Sequence, residues 1–405
     1  MSFDRQQHNN GTTHNGRSLC ACIIGTRPEV IKMAPVIRRL AESRWATPYV
    51  IAVGQHTHLL DMAIKDFDLS IDQRIEIVRS RGSITEVMAR AMDDLDVGLE
   101  GLNPACVVAQ GDTTTVLAAG MAAFYRRIPF VHVEAGLRTG DITAPFPEEF
   151  NRRAVALATS LHCAPTARAK AALIAEGASE ADCILSGNTV IDALLDLVPR
   201  KPELPPNFPA PYKTILLTAH RRESFGQPLE RAFLALREMV ERYADLAIFF
   251  PVHPNPNTKL LAERLLGGHP RIVLSDPVNY PQLVAAMQAS WLVVTDSGGM
   301  QEEGPALGKP VLVLRDVTER PEALETGVVK LVGTDHGRIV HSISELHDDP
   351  QAYRQMARAV FPYGDGRAGE RIVDAMFRRL MPDAHAEKSR QYSLPVAAEI
   401  SEVRS

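Results

Sequence analysis

Three carboxylates stand where acid–base chemistry could use them. Asp112 follows the apolar run 105–109, Glu134 follows 130–133, and Glu148 follows Pro147 in Pro145-Phe146-Pro147-Glu148-Glu149. An acidic group directly behind a buried strand has no hydrophobic reason to be there. Two of them on successive strands converge at one end of a sheet, and carboxylates gathered near one site suit proton transfer. Plainer roles exist too. Asp112 sits where a helix N-cap would fall, and Glu148 in a first helical turn suits the macrodipole.

Groups suited to an anion lie at other strand ends. Gly25-Thr26-Arg27-Pro28-Glu29-Val30-Ile31-Lys32 puts two cations about a turn apart near a helix start. They fit either an anionic ligand or an ordinary solvated helix. The segment lacks the second and third glycines of G-x-G-x-x-G, which argues against an NAD or FAD site. In the second half, His220-Arg221-Arg222-Glu223-Ser224, Pro251-Val252-His253-Pro254 and Asp296-Ser297-Gly298-Gly299-Met300-Gln301-Glu302-Glu303 each follow an apolar run. Ser297-Gly298-Gly299 is either a phosphate cradle or a tight strand–helix turn. Glu303 could accept two hydrogen bonds from a ribose diol, and His253 reads as a loop histidine. A charged loop, 315–322, contains Arg320. Zinc-type Cys/His spacing, a Walker A loop and G-x-S-x-G are all missing, so no metal site is expected.

The elements that must carry these groups alternate. Apolar runs at 19–24, 49–53, 105–109, 130–133, 161–164 and 183–185 read as strands, with helical spacing between them at 29–41 and 84–102. Six prolines between 199 and 211 break the pattern and predict a stiff linker. Alternation resumes with strands at 214–218, 247–250, 272–274, 292–295 and 311–314 and helices at 229–243 and 280–288. The reading is an α/β protein with two doubly wound Rossmann-like domains facing across a cleft. Residues 1–18 are a flexible leader, 19–198 and 213–380 the two domains, 199–212 the linker, and 381–405 a disordered tail.

Composition narrows the class. The 405 residues carry a net charge of −5, with 45% apolar and 23% charged residues. This balance argues against nucleic-acid or anionic-membrane partners but leaves a local anion pocket open. No apolar run approaches the ~20 residues of a membrane span, and the N-terminus lacks a signal-type apolar region. Cys20, Cys22, Cys106, Cys163 and Cys183 read as buried reduced thiols, consistent with a cytoplasmic protein.

Together the motifs resemble those of the non-hydrolysing UDP-N-acetylglucosamine 2-epimerases. The resemblance is carried by Gly25-Thr26-Arg27-Pro28-Glu29, Gly111-Asp112-Thr113-Thr114-Thr115, His132-Val133-Glu134-Ala135-Gly136-Leu137-Arg138-Thr139 and Pro147-Glu148-Glu149. Gly187-Asn188-Thr189, His220-Arg221-Arg222-Glu223-Ser224-Phe225-Gly226, Thr295-Asp296-Ser297-Gly298-Gly299, Glu319-Arg320-Pro321-Glu322 and Pro362-Tyr363-Gly364-Asp365-Gly366 extend it over roughly 19–380. It implies a GT-B type fold, a homodimer, no cofactor, and interconversion of UDP-GlcNAc and UDP-ManNAc. The implied route is anti-elimination of UDP, a 2-acetamidoglucal intermediate and re-addition of UDP, and the product would supply ManNAc units for surface polysaccharide.

By the same resemblance Asp112, Glu134 and Glu148 are the acid–base carboxylates. Arg27, Lys32, Arg152 and His220 serve the phosphates and leaving group. Ser297, Gly298, Gly299 and Glu303 hold diphosphate and ribose, and Arg320 supports the second domain's side. Gln55, His56 and Arg221 resemble part of an activating second UDP-GlcNAc site, although 78–85 departs from the usual loop. Gln110 replaces the His that often precedes Gly-Asp. Rival readings are an epimerase of a related UDP-2-acetamido sugar, a GT-B glycosyltransferase, or a non-catalytic nucleotide-sugar sensor.

Overall fold

The computed structural model describes residues 12–14, 16–54, 58–77, 82–221 and 225–382. The first half contains β1 (Thr13–His14), β2 (Arg17–Ile24), β3 (Ala46–Val53), β4 (Gln73–Ile75), β5 (Cys106–Gln110), β6 (Phe130–Val133), β7 (Leu161–Ala164) and β8 (Cys183–Leu185). They form one sheet in the order β4-β3-β2-β5-β6-β7-β8, parallel throughout, with β1 antiparallel to the start of β2. The second half contains β9 (Lys213–Thr218), β10 (Leu246–Pro251), β11 (Ile272–Ser275), β12 (Leu292–Thr295), β13 (Val311–Val313) and β14 (Val329–Leu331). These form a parallel sheet in the order β11-β10-β9-β12-β13-β14.

Each sheet changes direction beside its first long strand, between β2 and β5 and between β9 and β12. Ligand crevices of open α/β sheets lie at such points, at the carboxyl ends of the strands. The turn after β2 and the turn after β5 therefore flank one crevice, and those after β9 and β12 flank the other. Residues 19–24 of β2 are apolar and all buried, as a strand covered on both faces requires. The helix Arg27–Glu42 buries Val30, Met33, Ile37 and Leu40 against this sheet and starts in a capping box between Thr26 and Glu29.

The structure departs from the sequence reading in four places. Residues 13–14 and 17–18, read as leader, pair as strand, because β2 extends its ladder past the apolar run. The edge strands β4 and β14 are only three residues long and carry Arg74 and Lys330, which hid their pattern. The linker begins with a short 3-10 turn, Val198–Arg200, and then has no helix or strand before Lys213. The last helix, Ala368–Leu380, falls within 213–380 but packs on Arg27–Glu42 and Thr189–Leu197 of the first domain. Its own N-cap makes no side-chain bond, and Asp192 instead accepts from the N–H groups of Ala368 (3.1 Å) and Gly369 (2.8 Å). Gly369 permits this approach, since a Cβ there would lie 3.2 Å from the Pro35 carbonyl. Tail residues beyond 382 lie outside the described residues. All five cysteines are free and buried, and no described helix is long and apolar enough to cross a membrane.

Candidate active site

The turn after β2 is tight: a Cβ on Gly25 would stand 2.6 Å from the Val53 carbonyl oxygen. Glu29 closes it by accepting from the N–H groups of Gly25 (2.5 Å) and Thr26 (2.9 Å), and the Thr113 hydroxyl donates to its other oxygen at 2.7 Å. Burial pushes the Glu29 carboxyl up to about 7 despite these bonds. Arg27 is half-buried. Burial lowers its pKa, against the pull of Asp66 and Glu303, and its Nη2 is buried without a partner.

Asp112 is not the cap its position suggested. Thr113 caps the helix Thr114–Tyr125, leaving the half-buried Asp112 carboxylate 3.0 Å from Nη2 of the buried Arg152. Arg152 Nε lies 3.4 Å from the fully buried Glu149, and its Nη1 has no partner. Glu148 opens the helix Glu148–Ala156 one residue before Glu149 and is half-buried. His132 bonds the Gly111 carbonyl through Nε2 at 2.7 Å. Burial drives its pKa down to about 4, so the neutral ring donates and secures the turn that carries Asp112.

Glu134 stands at φ 62°, a left-handed conformation uncommon for a residue with a side chain. It is buried, and one carboxylate oxygen takes Lys32 Nζ at 2.5 Å together with Gln110 Nε2. The other takes Nη2 of Arg320, from the second half of the chain, at 3.1 Å. Burial alone would raise its pKa, but Lys32 and Arg320 hold it below the usual range. Lys32 thus sits in an ion cluster rather than open to the cleft. Arg320 is also bonded to Glu302 at 2.5 Å and to Glu319, which in turn pairs with Arg315 at 3.1 Å. Glu302 is pushed up to about 7 by burial, partly offset by Arg320 and Lys32.

On the facing wall, His220 Nδ1 lies 3.2 Å from the buried Asp296, which also accepts from the N–H groups of His220 and Arg221, both at 2.8 Å. Arg221 Nε is buried and unpaired. Ser297-Gly298-Gly299 precedes the helix Met300–Ala306. Gly298 is required sterically, because a Cβ would come within 2.5 Å of Arg320 Nη1. Glu303 accepts from the Tyr280 hydroxyl at 2.5 Å, and burial raises its pKa. Gln55 and His56 lie outside the described residues.

Sequence reasoning passed over Glu29, Glu302 and Tyr280. The first was visible as the fourth residue of a Thr-x-x-Glu capping box. The other two carry no local signal, since their partners come from distant segments. What the cleft gathers is carboxylates together with guanidinium nitrogens on Arg27, Arg152 and Arg221 that are buried and unpaired. Unmet buried donors of this kind suit an anionic ligand. Among the described residues, no group of three His, Cys, Asp or Glu is placed to hold a metal ion.

Two doubly wound parallel sheets meeting at their strand ends define the GT-B class of α/β proteins. The profile of the UDP-N-acetylglucosamine 2-epimerase family matches residues 38–377. The UDP-N-acetylglucosamine 2-epimerase of Yersinia pestis is 44% identical over 364 residues, covering 87% of this chain and 97% of that one. Among solved structures, the UDP-GlcNAc 2-epimerase of Neisseria meningitidis bound to UDP-GlcNAc is 39% identical with TM-score 0.86, covering 89% of this chain and all (100%) of that one. The Methanocaldococcus jannaschii UDP-GlcNAc 2-epimerase in complex with UDP-GlcNAc and UDP is 32% identical with TM-score 0.78, covering 88% and 99%. The chain belongs to the UDP-N-acetylglucosamine 2-epimerase family, whose members are isomerases acting on carbohydrates.

Proposed function

We propose that this protein interconverts UDP-N-acetylglucosamine and UDP-N-acetylmannosamine by inverting the sugar C2. The observation that carries this reading is the juxtaposition of Asp112, Arg152 and the turn of Glu134 with unpaired guanidinium nitrogens in one interdomain cleft. The C2 hydrogen is not α to a carbonyl, so direct deprotonation is unfavourable. Elimination avoids the problem. A base takes the C2 proton, the C1–O bond breaks, UDP leaves with the electron pair, and a C1=C2 double bond forms. A diphosphate oxygen then attacks C1 while a proton is delivered to the other face of C2.

The residues divide between these tasks. Arg27, Arg152, Arg221 and the Ser297–Gly299 turn would stabilise charge on the departing diphosphate. His220, held by Asp296, serves the same group. Glu303 would take the ribose hydroxyls. Asp112 and Glu148, half-buried, together with Glu134, would hold or move the protons. A closed cleft keeps water from the intermediate. We infer that the product feeds surface polysaccharide synthesis in the cytoplasm, which the five free, buried thiols support. We also infer a homodimer. Phe124, Tyr125, Phe150 and Leu157 are exposed on the neighbouring helices Thr114–Tyr125 and Glu148–Ala156 or at their ends, and an apolar face of this kind suits a second copy.

The test is a nuclear magnetic resonance time course with UDP-GlcNAc in D₂O. UDP-ManNAc carrying deuterium at C2 is the expected product. Binding without turnover would redirect the reading to a related UDP-2-acetamido sugar. Release of UDP with free sugar would favour a hydrolase or glycosyltransferase.

A further inference from the structure

Gln110 closes β5 and is 4% exposed. Its backbone pairs with Val133 of β6, the residue before Glu134, and its side-chain N–H donates to the same Glu134 oxygen that receives Lys32. We propose that Gln110 is the positioning residue for Glu134, holding that carboxyl in one orientation through both of its protonation states. The proposal deepens the epimerase reading and rests on it for its kinetic arm.

Lys32, Arg320 and Gln110, the bonded donors to Glu134, differ in what they can do; the Asn188 amide also faces that carboxylate and helps lower its pKa. Lys32 and Arg320 only donate, so they stabilise the anion and lose their purpose when the carboxyl gains a proton. An amide offers a donor and an acceptor on one rigid plane. Rotated by half a turn, Gln110 presents its oxygen to a protonated Glu134 and keeps the bond. It is also carried by the strand next to Glu134's own, whereas Arg320 arrives from the second half of the chain and withdraws if the cleft opens. The other ionisable groups facing Glu134 are Glu302 and His132. Neither hydrogen-bonds its carboxyl, and His132 is neutral. A backbone at φ 62° leaves Glu134 dependent on its surroundings for its direction.

The test compares Gln110→Leu, Gln110→Glu and Gln110→His with the parent in UDP-GlcNAc turnover from pH 5.5 to 9 and in Tm. Gln110→Leu is expected to lower kcat about tenfold or more, with KM within threefold and Tm within a few degrees. Gln110→His, which can donate or accept when neutral, should restore part of that kcat. Gln110→Glu sets a second carboxylate beside Glu134 and should move the acid limb of the kcat profile up by about one pH unit or more. Parent-like kcat in Gln110→Leu, an unmoved limb in Gln110→Glu, or a kcat loss that tracks a Tm loss would overturn the proposal.

If the parent itself does not turn over UDP-GlcNAc, the functional reading fails and the Tm arm decides this one. Like charges penalise Gln110→Glu more when both groups are ionised, so its Tm deficit should be larger at pH 8 than at pH 5.5. That difference should vanish in a Glu134→Gln background. A deficit independent of pH or of Glu134 would overturn the proposal.

Discussion

Asp112, Glu134 and Glu148 have the same chemistry and different surroundings. Glu134 is buried among two cations, while Asp112 and Glu148 are half-buried. Asp112→Asn, Glu134→Gln and Glu148→Gln should each lower kcat by about 100-fold or more. Near-parent turnover in any one would remove it from the acid–base set. Glu29 makes a prediction about stability. Its folded pKa, about 7, lies above the ordinary 4.5, so the folded state keeps the proton across that window. Its contribution is therefore greatest below pH 4.5 and falls as pH rises through 7, by about 3 kcal/mol at most. Glu29→Gln, which can keep the bonds to Gly25 and Thr26, should flatten the decline of unfolding free energy between pH 5 and 8. An unchanged slope in denaturant titrations would contradict it. The carboxylates were legible as candidates because an acid behind an apolar run is conspicuous. The ionisation of Glu134 was not, because it depends on Lys32 and on Arg320, which is remote in the chain.

The short helix Met300–Ala306 and its glycine turn show how an element is shaped by what lies behind it. Gly298 could be read as a phosphate cradle or a strand–helix turn. In the structure it also makes room for the guanidinium of Arg320, which is bonded to Glu302 of the same helix. Gly298→Ala should cost about 1–3 kcal/mol by overpacking. It should also reduce turnover more than a stability loss of that size explains, because the displaced Arg320 loosens Glu134. Crystal-quality folding with an undisturbed Arg320–Glu134 bond and full activity would be the contrary result. The helix Ala368–Leu380 carries a related lesson. It buries Ile372, Val373 and Met376, and apolar spacing is silent about which domain supplies the partner face.

Several polar contacts join the halves of the molecule, and three of them differ in burial. Glu134 meets Arg320, the Tyr280 N–H donates to Asp66 at 2.9 Å, and Arg168 pairs with Glu325. The first is buried and the last is exposed, so the first matters most. Arg320→Met strips Glu134, Glu302 and Glu319 of a shared cation. It should cost about 3–5 kcal/mol in unfolding free energy, read from denaturant melts. A loss below 1 kcal/mol would mean that the cluster relaxes or takes up protons instead. For assembly, Leu157→Glu places a charge on the most exposed of the apolar residues and should convert the inferred dimer to monomer in sedimentation. A dimer that survives it would put the interface elsewhere.

Local chemistry in the sequence was enough for the alternation of strands and helices, the proline-rich break, and the strand-end location of Asp112, Glu134, His220 and Ser297. Each of these follows from periodicity or from a residue that its own neighbours do not explain. The choice of Thr113 over Asp112 as cap, the crossing of the last helix to the first domain, and the joining of Lys32, Gln110, Glu134 and Arg320 into one cluster came from the folded arrangement. Those bonds link residues up to 186 positions apart, and no local pattern encodes a pairing whose energy arises only when burial removes water from both partners.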